Sequence, residues 1–145
     1  MREREPLTRD NLGWLLAKAS QRWNAGLETG FREAGFADVR PSFGSVLVPL
    51  YEEDGLRMSD LAARSGLSKQ AMTTLVRAVE TAGLVIRKRD ARDRRAVRVS
   101  LSARGEELRP VAERVVSALD ARTRSGLSEA ELDGLLNGLR KVVDL

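Results

Sequence analysis

With 145 residues the chain is long enough for one domain with a real core and too short for two full-sized ones. It contains no Cys and no His, which excludes disulfides, thiol chemistry, Ser/His/Asp and Cys/His catalysis, and the usual zinc ligand sets. The formal charge is +4, but residues 87–98 alone carry seven Arg or Lys against two Asp, so the basicity is local and the rest of the chain sums to about −1.

From Asp10 to Ala34 the apolar residues Leu12, Leu15, Leu16, Ala19, Trp23, Leu27, Phe31 and Ala34 recur at spacings of three and four, which predicts an amphipathic helix ended by Gly35. Pro41 and Ser42 offer the start of a second helix, with Phe43, Val46, Leu47 and Leu50 on one face. Pro49 is expected to kink or shorten it. Ser59 is the expected cap of a short helix carrying Leu61 and Ala62, and Gly66 supplies a tight turn.

Ser68 then caps a longer helix that Gly83 closes. Met72, Leu75, Val76 and Val79 form its apolar face, and Gln70, Thr73, Thr74 and Arg77 repeat the same spacing on the opposite face. Two β-branched runs, Leu84–Arg89 and Ala96–Leu101, read as a hairpin whose charged tip is "DARDRR". Ser102 is the expected cap of a helix with the stripe Leu108, Val111, Ala112, Val115 and Leu119, bent near Pro110. "SEAE" at 128–131 has the form of a capping box opening a last helix with Leu132, Leu135, Leu136, Leu139 and Val142.

The expected fold class is mainly α with a small β-hairpin wing: a winged helix-turn-helix core over residues 38–101, flanked by an N-terminal dimerisation helix (1–37) and C-terminal dimerisation helices (102–145). In this order of elements the helix after Ser68 is the one that enters a DNA major groove. Gln70 can pair bidentately with adenine, Thr73 and Thr74 offer hydroxyls and methyls, and Arg77 suits guanine or phosphate. Ser68 and Lys69 suit a backbone phosphate. At the hairpin tip, Arg94 or Arg92, with Arg95 beside them, can reach a narrow A·T-rich minor groove; Asp90 and Asp93 would repel phosphate and orient neighbouring arginines instead. For any one residue an ordinary solvent-facing role is the simpler reading, but the constellation points to double-stranded DNA.

Membrane surface is the competing anion. No run approaches the length of a spanning helix, and "MREREPLTRD" has no apolar segment that could serve as a signal peptide, so a cytoplasmic protein is expected. An enzyme is not, because neither a Gly-rich phosphate loop nor an Asp-rich metal loop is visible, and no catalytic, cofactor or metal site is expected. The alternative from a different class is a winged-helix interaction module whose basic wing meets an acidic partner protein.

The stretch "MSDLAARSGLSKQAMTTLVRAVETAGLVIRKRDARDRRAVRVSLSARG" resembles the DNA-binding core of the MarR family, the multiple-antibiotic-resistance-type regulators. The carrying motifs are Gly83 to Arg87, the wing motif Asp93 to Arg95, and Leu101 to Gly105 opening onto a long helix. The resemblance implies a homodimeric regulator, here expected to be a repressor, with intertwined first and last helices and a pseudo-palindromic operator. By carry-over, Gln70, Thr73, Thr74 and Arg77 face the major groove and Arg94 enters the minor groove. Ala91 departs from the proline often found at the wing turn, which bears on the stiffness of the tip. The resemblance also implies a small-molecule effector site between the dimerisation helices and the winged domain, for which Trp14, Trp23, Phe43 and Tyr51 are candidate lining residues, although aromatics at helical spacing are more often core.

Overall fold

The computed structural model describes residues 7–145; the first six residues of the segment 1–37, and most of "MREREPLTRD", lie outside the described residues. Helix α1 (Leu12–Glu33) begins where Asn11 Oδ1 accepts the Trp14 amide at 3.2 Å, two residues later than the periodicity suggests. Gly35, at φ +89°, turns the chain after it. Pro41 opens a 3-10 turn (Pro41–Phe43) that runs into α2 (Gly44–Glu52).

Pro49 does not stop α2, which continues for three more residues. A proline lacks the amide that would bond the carbonyl four residues back, here that of Ser45. That carbonyl instead accepts a hydrogen bond from Ser65 Oγ, 2.5 Å away on the next helix.

The wing is more than the expected hairpin. Strand β1 (Leu56–Arg57) pairs antiparallel with β3 (Val97–Leu101), which also pairs with β2 (Val85–Arg89), giving a three-stranded sheet in the order β1-β3-β2. This overturns the cap expected at Ser59. The chain leaves the sheet at Arg57 and enters α3 (Met58–Ser65) directly, so Arg57 holds the N-cap position without a side-chain bond and Ser59 is already the second helical residue. The two hairpin strands each start one residue later than the sequence suggests.

Gly66 (φ +64°) makes the turn into α4 (Lys69–Thr81). Helix α4 closes at Gly83 (φ +76°), whose amide bonds the Glu80 carbonyl while the Leu84 amide bonds that of Val79. In α5 (Ala103–Ser125) Ser102 Oγ accepts the Gly105 amide at 3.0 Å, and the helix is continuous through Pro110. The capping box of α6 (Glu129–Val143) is fully made: Ser128 Oγ accepts the Glu131 amide and Glu131 Oε1 accepts that of Ser128.

The core lies within the winged domain. Val46, Leu50, Leu61, Met72, Val76, Val79, Leu84 and Val99 are fully buried, each large side chain contributing roughly 1.5–3 kcal/mol by its removal from water. Phe31 joins from α1 and Leu108 from α5. Those two helices also cross each other, with Gly26 and Gly30 set against Leu119 and Val115 so closely that an added Cβ would stand 2.5 and 2.6 Å from their methyls. Helix α6 differs: it buries no residue, and no other element packs extensively along it among the described residues.

The root of the wing is held by Asp90, the one buried charged side chain among the described residues at 4% exposure. It accepts the Arg92 amide at 2.8 Å, Arg57 Nε of β1 at 3.0 Å and Arg98 Nε of β3 at 2.9 Å. The Arg92 amide first, and then the two guanidinium groups, hold its carboxyl below the ordinary value of 3.8. A group whose pKa is lowered by folding stabilises the fold above its unfolded value, and that stabilisation is lost as pH falls through the folded value. The stability gap between wild type and Asp90→Asn should therefore be full above pH 3.8 and close on further acidification, as measured by denaturation at a series of pH values. Gly105→Ala would drive a Cβ to 2.2 Å from the Leu84 carbonyl oxygen and should cost about 1–3 kcal/mol, read as a lower Tm. Gly134→Ala, in open space on α6, should instead gain up to about 1 kcal/mol.

Candidate nucleic-acid interface

Helix α4 is fixed at both ends and along its inner face, so its outer face has a defined orientation. Ser68 Oγ accepts the Ala71 amide at 3.1 Å, and Met72, Val76 and Val79 anchor the inner side. Lys69, Gln70, Thr74 and Arg77 are exposed on the other side, as the periodicity requires. Thr73 differs: it is half-buried and its hydroxyl donates back to the Lys69 carbonyl at 2.8 Å, which leaves its methyl and remaining lone pairs for a ligand. Ser68 likewise uses its oxygen as a cap. No acidic residue occupies the first turn of α4, so nothing there opposes an anion drawn to the positive end of the helix.

The first acid along α4 is Glu80, and it is already paired. Arg87 of β2 donates to both its carboxylate oxygens, Nε at 3.2 and 3.1 Å, with a further guanidinium nitrogen at 3.0 Å, and holds its pKa below the usual range. This bond ties α4 to the wing and takes one cation out of the basic run. Asp90 takes a second, since Arg98 is bound to it and to the Gly55 carbonyl.

The five remaining cations, Lys88, Arg89, Arg92, Arg94 and Arg95, are exposed and enter no ion pair among the described residues. Lys88 and Arg89 were not among the residues singled out from sequence; their place in the same run is the signal that could have found them. The tip itself is shaped by two successive turns of one kind. Asp90 Oδ1 accepts the Arg92 amide at 2.8 Å and Asp93 Oδ1 accepts the Arg95 amide at 3.0 Å, each aspartate binding the backbone two residues on. The aspartates thus order the backbone that carries the arginines, and the tip is braced although Ala91 stands where a proline would stiffen it.

The four aromatics considered for an effector site do not share one environment. Phe43 is core at 4% exposure, and Tyr51 packs between α2 and α5 with its hydroxyl donating to the Gly105 carbonyl at 2.8 Å, its pKa pushed up to about 12 chiefly by burial. Trp14 is an exposed residue of α1, its ring 5.5 Å from Lys18 Nζ, and Trp23 is half-buried further along the same helix. One open concavity runs along α1, from Ala17 to Glu28, and another along α6, from Leu136 to Asp144, and neither is lined by any of the four. Among the described residues no cluster of acidic side chains could hold a metal ion, and no helix is long and apolar enough to cross a membrane.

The fold recurs in known proteins. The model of the MarR family matches residues 41–97, from the start of the 3-10 turn to the first residue of β3. An HTH-type transcriptional repressor of Mycobacterium tuberculosis is 38% identical over 105 residues, which cover 63% of this chain and 76% of that protein. Two solved structures share the fold almost end to end. One is the PcaV transcriptional regulator of Streptomyces coelicolor in complex with its natural ligand (20% identical, 99% of this chain and 98% of that chain covered, TM-score 0.81). The other is the transcriptional repressor CouR bound to a 23-mer DNA duplex (23% identical, 98% and 99% covered, TM-score 0.80). The winged domain, its flanking helices and the repressor that matches most of its own length along this sequence lead to one conclusion: the chain belongs to the MarR family of transcriptional regulators.

Proposed function

We propose that the protein is a cytoplasmic, sequence-specific repressor that binds a pseudo-palindromic operator in double-stranded DNA as a homodimer and is released by a small-molecule effector. The observation that carries the DNA reading is the outer face of α4, free of acids from Lys69 to Arg77, joined through Glu80 and Arg87 to a wing with five exposed cations that have no carboxylate partner among the described residues. Gln70, Thr74 and Arg77 are the base-reading residues, Thr73 contributes its methyl, and Ser68 and Lys69 bind the phosphate at the start of α4. Arg94 and Arg92, with Arg95 beside them, follow the adjacent minor groove. The repressor of Mycobacterium tuberculosis supports the direction of regulation, CouR on its DNA duplex the nucleic-acid partner, and PcaV with its natural ligand the effector.

The dimer reading rests on uncovered apolar surface. Leu135 is 45%, Val142 41% and Val143 82% exposed on α6, and Leu12 and Leu15 are exposed on α1. On this reading residues 1–37 and 102–145 form the dimerisation region around two winged domains of residues 38–101, and these side chains are covered by a second copy.

Light scattering should accordingly give a dimer mass at tens of micromolar. Leu135→Asp or Leu139→Asp should reduce it to a monomer or unfold it, since a lone carboxylate would enter an apolar contact. A wild-type monomer would refute the dimer.

On DNA, footprinting should find two half-sites about one helical turn, roughly 10 bp, apart. Binding to an acidic protein with no preference among DNA sequences would favour the interaction-module reading instead. Gln70→Ala or Arg77→Ala should cost on the order of 1–3 kcal/mol and relax base preference at one position per half-site.

Arg94→Ala should weaken all sites alike, lower the salt slope by about one per lost contact in each subunit, and blunt the preference for A·T-rich flanks. Arg94→Lys should restore the salt slope but not the flank preference, because it keeps the charge and loses the planar fork. Unchanged affinity, salt slope and flank preference in Arg94→Ala would reduce the wing to a solvated turn.

A further inference from the structure

Arg104, the second residue of α5, reaches three separate parts of the chain with one guanidinium group. Two of its nitrogens donate to Asp38, at 3.0 and 2.8 Å, in the segment between α1 and α2. One of the two also donates to the carbonyl of Ala82, the C-cap of α4, where a cation complements the negative end of the helix. The guanidinium carbon lies 5.0 Å from the centroid of the Phe36 ring.

The side chain thereby links the start of α5, the segment that follows α1, and the end of α4. Its neighbours grip the same spot. Ser102 Oγ donates to the Gly83 carbonyl at 2.5 Å, and Gly105 lies against the Leu84 carbonyl. Ser102 and Gly105 hold the turn after α4, and Gly105 also accepts the Tyr51 hydroxyl of α2; Arg104 adds the segment that leads out of α1.

We infer that Arg104 is a positioning residue for DNA recognition: from α5 it locks the end of α4 to the segment that follows α1, and so sets the distance between the two recognition helices of a dimer and the half-site spacing the protein accepts. This rests on the dimeric DNA-binding reading above. Neither end of the link touches DNA in that reading, so its effect is on geometry. A planar fork is what the task requires, since one group must hold a carboxylate through two bonds and still reach a carbonyl. Lysine keeps the charge and can serve only one of these partners well.

The absence of cysteine provides a direct test. Ala78→Cys puts a single spin label on an exposed position of α4 outside the proposed contact residues, so the label-to-label distance in a DNA-free dimer reports the separation of the two recognition helices. With Arg104 intact the distance distribution should be narrow. Arg104→Lys should broaden it severalfold while the dimer mass and helix content stay as in the parent, and Asp38→Asn, which keeps the Ala82 bond, should broaden it less.

On operator fragments whose half-sites are separated by the natural spacing or by one base pair more or less, Arg104→Lys should lose about tenfold in affinity at the natural spacing and little at the others. The parent should keep its preference. An unchanged distance distribution in both variants overturns the inference, and so does an equal loss of affinity at every spacing. A broadened distribution in a protein that binds no DNA would keep the joint and refute the DNA reading; a monomeric parent would overturn both.

Discussion

The close approach of the first turn of α5 to the turn that ends α4 is the constraint on which the rest of the molecule depends. No side chain fits between Gly105 and the Leu84 carbonyl, and Gly83 must take a left-handed conformation immediately before it. These two glycines let three elements converge: α4 finishes, β2 starts, and α5 begins its 23-residue run on top of them. Tyr51 completes the joint from α2 by donating to the Gly105 carbonyl. A larger residue at 105 would push α5 away from the Leu84 carbonyl and loosen the vertex that the wing, α4 and α5 share.

Around that vertex, charge is divided between two roles. Arg57, Arg87, Arg98 and Arg104 are bound to Asp90, Glu80 or Asp38 and serve as fasteners. The pairs are partly exposed, so each has modest worth by itself, and their importance lies in fixing direction. Lys69, Arg77, Lys88, Arg89, Arg92, Arg94 and Arg95 are left exposed. A count of basic residues cannot distinguish these groups, whereas the carboxylates can: Glu80 and Asp90 are bound to arginines and Asp93 is bent back onto the Arg95 amide, which leaves the other cations of the wing facing outward.

Much of this was legible in the sequence because it depends on local rules. Helices α1, α4 and α6 follow from apolar residues at spacings of three and four, and the caps at Ser68, Ser102 and Ser128 from a hydroxyl or carboxylate within three residues. The hairpin was readable from alternation and a charged tip. What was hidden depends on long separation in the chain. Strand β1 has two residues, too few to show a period, and exists because β3, more than forty positions later, offers Leu56 a partner in Val99. Its presence displaced the cap expected at Ser59. The joining of Asp38 to Arg104 has no local signature, and neither does the Arg57–Asp90 bond. Both are bonds between segments that only the tertiary fold brings together. The aromatics were uninformative for the converse reason: their spacing is that of helix packing, which is what Phe43 and Tyr51 do.

Pro49 has a consequence for how this sequence can change over time. By removing one amide it leaves the Ser45 carbonyl dependent on Ser65, a residue of another helix. The two positions are therefore not independent under mutation. While proline stands at 49, Ser65→Ala would leave the Ser45 carbonyl without that partner; once an ordinary residue restores the amide, the serine loses this role. The pair should covary among descendants of this sequence, with the hydroxyl surviving where the proline does. Chance loss of the proline would be the event that opens the route for the helix-turn-helix to acquire a different residue at its turn.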